Sequence, residues 1–314
     1  MGITGAFADL RGVDLREPAG WEAVTTAATA LTPAGRRGDR TVISDTYTAE
    51  IRTLRDRIRS QTDLCIELPP TIAICDRHDY LGMMGELVGR IAAAPAAGAL
   101  VRGPQSLIAG GYAGMLGLLS RRVLGQVDPG LFTADGPRGL YIVEPNLRAT
   151  ADRLDASPAV LRRWILAHEL VHVAQFSSAP WLIAHLETHL EAVLSAAADR
   201  ELATAAMADL QRVMTVIEGH AEWQMDGLLA EDVTALRAAV DRRRRQPDPL
   251  LRLVGALVGL DQKRAQYVTG RAFFAAIDAS PRSVVATRVF DGPESLPSTA
   301  ELETPKRWVD RMAR

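Results

Sequence analysis

Residues 158–176 read PAVLRRWILAHELVHVAQF and contain the motif His168-Glu169-Leu170-Val171-His172. Ser157 and Pro158 suit the start of a helix, and apolar residues recur before the motif at helical spacing. Histidines four residues apart lie about one turn from each other, so both imidazoles leave the same face of the helix. The stretch therefore predicts a helix that presents two nitrogen ligands to one divalent ion, an arrangement typical of zinc sites.

The glutamate of the motif gives this pair a chemical role. Glu169 directly follows His168, where its carboxylate can take a proton from a water molecule made acidic by zinc. We therefore interpret His168 and His172 as zinc ligands and Glu169 as the general base of a zinc hydrolase that cleaves a peptide or amide bond. The alternative is a binding or scaffold protein whose zinc only ties helices together. Structural zinc is usually closed by four ligands, which argues against that alternative.

A catalytic zinc normally has three protein ligands, so one more must come from elsewhere in the chain. The extended pattern HExxHxxGxxH is not present, because Gln175 stands at the position of its glycine and Ser178 at the position of its third histidine. The third ligand is therefore expected on a different element.

A second helical stretch supplies the best candidate. Its apolar stripe is formed by Met214, Ile217, Ala221 and Met225. Glu218 falls on that stripe, where a carboxylate is costly unless it is paired or binds a metal. The adjacent Gly219 removes a side chain where two helices would have to approach closely. Glu218 is the predicted third ligand, and Glu222 and His220 are the alternatives.

Other polar residues have weaker claims. His185 and His189 form a second pair four residues apart, but no glutamate follows the first histidine, and a polar edge of a helix is the preferred interpretation. A hydrolase also needs a donor for the oxyanion that develops during attack. Tyr141, His220 and Tyr267 are the candidates for that oxyanion or substrate contact.

The HExxH helix followed by a Glu-Gly-x-Ala helix resembles the gluzincin arrangement, in which the second helix completes the zinc site. More narrowly, several segments are similar to those of the zincin-like metallopeptidase family, a largely actinobacterial group often labelled as associated with biosynthesis of a deazaflavin coenzyme. These segments are Ser120–Gln126, Glu144-Pro145-Asn146, Trp164–Phe176, Pro180-Trp181-Leu182, Glu218–Ala221, Gln266–Gly270 and Leu296-Pro297. The resemblance implies a hydrolase, a Zn²⁺ cofactor, and a strand at 140–144 that pairs with an extended substrate.

Bulk properties exclude several classes of partner. The 314 residues carry a net charge of only −2, which does not suggest a nucleic-acid partner. Glycines and prolines interrupt the apolar run 91–120, so we expect a buried helix, a loop and a second helix there and no stable membrane insertion. Cys65 and Cys75 are interpreted as free thiols in a reducing cytoplasm, since the N-terminus lacks a basic-then-apolar signal segment. The oligomeric state is not indicated.

The predicted fold is mainly α (α+β), a zincin-like helical bundle around the HExxH helix with a small β element. Residues 1–44 are expected to form a loosely packed arm around one helix, and residues 45–314 a single domain. A strand at 139–144 is predicted to pair with residues 122–127. Helices are predicted near 21–31, 46–60, 79–94, 111–120, 158–176, 181–197, 199–228, 231–245, 249–258 and 262–277.

Overall fold

A computed structural model describes most of the chain, and the account below concerns those residues. The described residues are 10, 12–35, 40–94, 97–98, 101, 103–134, 136, 138–199, 203–229, 233–245, 260–280 and 285–313. Of these, residues 40–44, 198, 235, 241–245 and 260–267 are described by their backbone alone. The chain forms two compact units. The first contains residues 1–48, 69–150 and 183–207, and the second contains residues 49–68, 151–182 and 208–314.

Helices make up most of the structure, so the predicted mainly helical class is confirmed. They are α1 (Pro18–Ala30), α2 (Arg40–Gln61), α3 (Arg77–Ala93), α4 (Gln105–Leu119), α5 (Glu144–Leu154), α6 (Pro158–Ser178), α7 (Trp181–Ala198), α8 (Thr204–Leu229), α9 (Thr234–Arg245), α10 (Leu260–Asp278), α11 (Thr299–Glu303) and α12 (Pro305–Met312). Two short 3₁₀ helices, Ala286–Phe290 and Pro293–Ser295, precede α11. The predicted helix 249–258 lies outside the described residues. No helix among the described residues is long and apolar enough to cross a membrane.

Three short strands form a mixed sheet in the first unit: β1 (Thr71–Cys75), β2 (Gly125–Asp128) and β3 (Gly139–Val143). β2 pairs antiparallel with β3, with Val127 opposite Leu140, which confirms the predicted pairing. β1 was not predicted. It joins the other side of β3 in parallel, with Ile72 opposite Leu140. Parallel pairing needs a long crossover connection, here through α3 and α4, and a short apolar run gives no local sign of it.

The structure corrects two expectations about residues 139–144. β3 is the middle strand and pairs with β1 on one side and β2 on the other. Its backbone groups are therefore used within the sheet, and the expectation that this strand pairs with an extended substrate is wrong. Glu144 does not end the strand but begins α5, and Pro145 is accommodated in the first turn, where no helical N–H bond is lost.

The first unit has an apolar core to which the N-terminal segment contributes. Leu10, Leu15 and Trp21 are buried with residues of α3 and α4. The Trp21 indole N–H donates to the carbonyl of Leu15 at 2.9 Å, and the N–H of Leu15 donates to the side-chain oxygen of Gln105 at 2.8 Å. The described part of residues 1–44 is thus packed at these positions, while the division into an arm and a single domain stays a prediction.

The second unit is organised around α6. Leu161, Leu166 and Leu170 have no exposed surface, as expected for a helix whose apolar residues occur on nearly all sides. The guanidinium of Arg162 donates to both carboxylate oxygens of Glu50 on α2, at 2.7 and 3.1 Å. α2 also contacts α8, because Arg57 donates to the carbonyl of Leu228 at 3.0 Å. These contacts hold the helix that carries the HExxH motif against its neighbours.

α8 and α10 cross at two glycines, Gly219 and Gly270. The close approach of another helix at Gly219 was predicted from the sequence. A Cβ atom added to Gly219 would lie 2.3 Å from Cα of Gly270, and one added to Gly270 would lie 2.2 Å from the carbonyl oxygen of Thr215. Both obstacles are backbone atoms, which cannot move aside cheaply. The crossing therefore requires glycine at both positions, and it sets the location of Glu218, the residue before Gly219.

We expect Gly219→Ala to lower the free energy of unfolding by about 1–3 kcal/mol, because the new methyl group forces the two helices apart. Gly227→Ala on the same helix is the matched control, since a Cβ atom there meets nothing within 4 Å. That control should be neutral or stabilising by about 0.5–1 kcal/mol, as for a helical glycine replaced by alanine. Urea denaturation followed by circular dichroism measures both, and equal stability of the two variants would contradict the close crossing.

Candidate metal centre

α6 brings the two histidines of the motif together. Their Nε2 atoms are 3.1 Å apart, and the rings meet edge to face at 85° with centroids 4.6 Å apart. Ser157 and Pro158 occupy the start of the helix, although the Ser157 side chain makes no capping hydrogen bond. The relative position of the two imidazoles follows from helical geometry, since residues four apart share a face.

α8 supplies a carboxylate to the same point. Oε2 of Glu218 is 3.4 Å from Nε2 of His168 and 3.5 Å from Nε2 of His172. This oxygen is buried and accepts no hydrogen bond. Among the residues that the structure describes, this is the one group of three histidine, cysteine or acidic side chains with ligand atoms clustered closely enough to hold a metal ion.

The cluster fits a zinc ion. With bonds of about 2.0–2.2 Å, a tetrahedral zinc separates its ligand atoms by about 3.3–3.5 Å, close to the spacing of these three atoms. Two imidazoles and one carboxylate are also a donor set of catalytic zinc sites, in which a fourth position stays open. A buried carboxylate oxygen without a hydrogen bond costs free energy unless a cation neutralises it. The spacing of the three atoms, their donor types and the unsatisfied oxygen of Glu218 all favour a bound metal ion.

The alternatives for the third ligand lie elsewhere in the second unit. Glu222 is one turn along α8 and lies 3.9 Å from the guanidinium of Arg237. His220 is completely buried, with its ring edge to face against Phe274 and Phe290 at centroid distances of 5.1 and 4.9 Å. Neither joins the cluster of ligand atoms, and the geometry favours Glu218.

The charges of the metal-free cluster depend on one another. Burial opposes a charged imidazole, but the carboxylate of Glu218 and then that of Glu169 outweigh it and raise the pKa of His172 to about 9. Burial likewise opposes a charged Glu218, yet the two histidines hold its pKa well below the usual range. Without metal at neutral pH, the site therefore pairs a carboxylate with an imidazolium, and a metal ion must displace that proton.

Glu169 is buried on α6, only 6% exposed. Its negative charge contributes to the raised pKa of His172, which indicates that its carboxylate lies near the cluster. The role of Glu169 as a general base stays a prediction.

Gln175 is the residue that sequence reasoning missed. It has no exposed surface and follows His172 by three residues on α6. Its Oε1 is 2.8 Å from Nδ1 of His172, and its Nε2 is 2.8 Å from the carbonyl oxygen of Ile217 and 3.0 Å from Nδ1 of His220. In the sequence, Gln175 was notable only because it replaces the glycine of the extended pattern HExxHxxGxxH. A polar residue three positions after a ligand, on an otherwise apolar helix, was the available signal.

The three candidate oxyanion donors lie on different elements of the fold. Burial, and secondarily the charge of His172, lowers the pKa of His220 to about 3, so its imidazole is neutral. Its complete burial gives no support to direct contact with a substrate. Tyr141 is half-buried in β3 of the first unit, and burial, then the charges of Asp128 and Glu86, raise the pKa of its phenol. Tyr267 lies in α10, and its side chain is outside the described part. The roles of the two tyrosines stay predictions.

The second histidine pair is a useful comparison within the molecule. On α7, Nε2 of His185 and Nε2 of His189 are also 3.1 Å apart, with the rings at 89°. The local geometry thus nearly equals that of His168 and His172. Among the described residues, however, no third histidine, cysteine or carboxylate joins this pair. Helical spacing alone therefore produces a pair of imidazoles, and only a second helix produces a triad.

An HExxH helix that meets a glutamate of a second helix defines a zincin-type metal centre. The sequence model of the zincin-like metallopeptidase family matches residues 21–204 and 194–309, and the chain belongs to this family. A solved structure is also similar: a protein of Chloroflexus aurantiacus, provisionally described as a hydrolase with a novel fold. It is 29% identical, with a TM-score of 0.78 over 94% of this chain and 98% of that one. No curated protein matches the chain.

We expect Glu218→Gln to abolish stoichiometric zinc binding, because the neutral amide removes the charge that balances the ion. Glu222→Gln, one turn along α8, is the matched control and should keep about one zinc per chain. Elemental mass spectrometry of the purified variants, with circular dichroism to verify folding, measures the outcome. If Glu222→Gln lost its zinc and Glu218→Gln kept it, Glu222 would be the third ligand and Glu218 would not.

Zinc binding at neutral pH should release about one proton per ion, because the metal replaces the proton of the His172–Glu218 pair. Below a pKa of about 9, His172 is protonated in the metal-free protein, so the apparent zinc affinity should rise with pH and level off above that value. Calorimetry in buffers of different ionisation enthalpy measures the proton count. His185→Gln, in the second pair, should leave it unchanged. Binding without proton release would contradict the predicted charge state.

Proposed function

We propose that the protein is a zinc-dependent hydrolase, most consistent with a metallopeptidase that cleaves a peptide or other amide bond. The observation that carries the proposal is the unsatisfied carboxylate oxygen of Glu218 beside His168 and His172, next to the buried Glu169. Membership in the zincin-like metallopeptidase family and the similarity to a protein described as a hydrolase support the same reaction class.

The proposed division of labour follows from the chemistry of the side chains. His168, His172 and Glu218 would hold the metal. A bound zinc ion supplies Lewis acidity, which brings the pKa of a coordinated water close to neutral and polarises the scissile carbonyl. Glu169 would accept a proton from the attacking water at its carboxylate and pass it to the amine nitrogen as the carbon–nitrogen bond breaks. Burial of Glu169 keeps bulk water from exchanging this proton during the reaction.

The number of ligands separates this proposal from a purely structural zinc. Among the described residues, the cluster contains three ligand side chains, and no fourth histidine, cysteine or acidic residue joins it. A fourth position is thereby left for water or substrate, as in catalytic sites, whereas structural sites are closed by four protein ligands.

The decisive variant is Glu169→Gln, which keeps the shape of the side chain but cannot accept the proton. We expect it to keep its zinc and its fold and to lose about 10²–10⁴-fold in kcat. The assay is cleavage of a library of quenched fluorescent peptides and small amides by zinc-loaded protein. His168→Ala, which should lose both zinc and activity, serves as the metal-deficient comparison.

Two outcomes would contradict catalysis by this site. The first is undiminished cleavage by Glu169→Gln with zinc in place. The second is a zinc-loaded wild-type protein that cleaves no member of the library, combined with unfolding of His168→Ala. That second combination would favour the scaffold protein, because the metal would then serve the fold alone.

The substrate is proposed to be a peptide or small amide, and neither nucleic acid nor a membrane is included among the partners. A cytoplasmic location and a link to deazaflavin coenzyme biosynthesis stay predictions. Binding of the deazaflavin to the purified protein, measured by its fluorescence, would test that link separately from hydrolysis.

A further inference from the structure

The side-chain amide of Gln175 connects three groups around the metal cluster. Oε1 faces Nδ1 of His172 at 2.8 Å, and Nε2 faces the carbonyl of Ile217 at 2.8 Å and Nδ1 of His220 at 3.0 Å. Gln175 and His220 have no exposed surface. Water therefore does not compete for these hydrogen bonds, and each group must be satisfied by the others.

Hydrogen-bond donors and acceptors determine which way the amide is oriented. A backbone carbonyl can only accept, so the NH₂ group of Gln175 must face Ile217. The same NH₂ group has a second hydrogen, and it is directed to Nδ1 of His220, which accepts as an unprotonated ring nitrogen. The Ile217 carbonyl thus excludes the flipped amide, in which an oxygen would face that carbonyl, and Nδ1 of His220 is then the acceptor of the second hydrogen.

The orientation of the amide determines the tautomer of His172. With Oε1 directed at His172, Nδ1 of that ring must carry a hydrogen and donate it. When the imidazole is neutral, the other nitrogen, Nε2, then holds the free lone pair. Nε2 is the atom that faces Nε2 of His168 and Oε2 of Glu218. The amide therefore makes His172 a metal ligand through the nitrogen that points into the cluster.

We propose that Gln175 is a positioning residue: it selects the Nδ1–H tautomer of His172 and its ring orientation for zinc, while Ile217 and His220 hold the amide in the required direction. The inference rests on the metal site of the proposed function, and it adds the partner that prepares one ligand. Because Ile217 immediately precedes Glu218, the same amide also ties the helix of one ligand to the helix of another. Outer partners of this kind change metal affinity by about 10–100-fold when removed.

The main test separates positioning from simple packing. Gln175→Met fills a similar volume but cannot donate a hydrogen bond and accepts one only weakly. Gln224→Met is the matched control, since Gln224 is a largely buried glutamine of α8 whose Nε2 lies 3.5 Å from the far nitrogen of His220. Zinc dissociation constants are measured on folded protein by competition with a chromophoric chelator. We expect about 10–100-fold weaker binding for Gln175→Met and a change within about threefold for the control.

A second variant distinguishes the two functions of the amide. Gln175→Glu keeps an oxygen acceptor for His172 but loses both donors, to Ile217 and to His220. The metal-free protein should therefore have a lower melting temperature, while zinc affinity stays within about threefold of wild type or rises. If affinity instead falls as far as in Gln175→Met, the amide serves packing alone and the proposal is overturned.

A spectroscopic measurement on the wild-type chain does not depend on the folding of any variant. In zinc-loaded protein labelled with ¹⁵N-histidine, long-range ¹H–¹⁵N correlation should show His172 with a protonated Nδ1 and a metal-bound Nε2. A metal-bound Nδ1 would overturn the inference.

Failure of the inference and failure of the proposed function have different signatures. If wild type and Glu218→Gln contain equally little zinc, the metal site itself is wrong. If wild type binds zinc through Glu218 but Gln175→Met binds it equally well, the metal site stands and only the positioning role of Gln175 is rejected.

Discussion

Three ionisable side chains meet at one point between α6 and α8, and they are the constraint on which the second unit depends. His172 is buried, whereas His168 and Glu218 are partly buried. His168, His172 and Glu218 approach within hydrogen-bonding distance, yet one oxygen of Glu218 accepts no hydrogen bond. In a low-dielectric interior such a group is costly unless an opposite charge compensates it. In the metal-free protein that charge is the proton on His172, and the spacing of the cluster favours a metal ion in its place.

The surrounding structure holds these groups in place. The crossing of α8 and α10 at Gly219 and Gly270 sets the position of Glu218 because no side chain separates the two backbones. The apolar residues of α6 are buried around the motif. Gln175 then satisfies the outer nitrogen of His172, and the inner nitrogen faces the cluster. The close approach of two backbones, the burial of apolar residues and the amide of Gln175 together position the ligand atoms for a metal ion.

The two histidine pairs separate what a helix provides from what a site requires. His185 and His189 have the same spacing and nearly the same ring geometry as the pair in the motif. Among the described residues no carboxylate completes a triad with them, and no acidic residue directly follows the first histidine in the sequence. A metal centre of this class therefore depends on packing between helices that are distant in sequence, as much as on the motif that makes it recognisable.

The sequence by itself determined the features that depend on near neighbours. Local periodicity or residue type predicted the helix at residues 158–176, the shared face of His168 and His172, the β2–β3 pairing and the need for glycine at position 219. Glu218 could be singled out because a carboxylate on an apolar stripe is costly. Only the tertiary structure decided that β1 completes the sheet and makes β3 its middle strand, that His220 is buried, and that Gln175 orients a ligand. These depend on contacts between segments 40 to 70 residues apart, such as Gln175 with His220 and Ile72 with Leu140. A sequence pattern records which faces are apolar, but the packing of those faces determines which polar atoms meet.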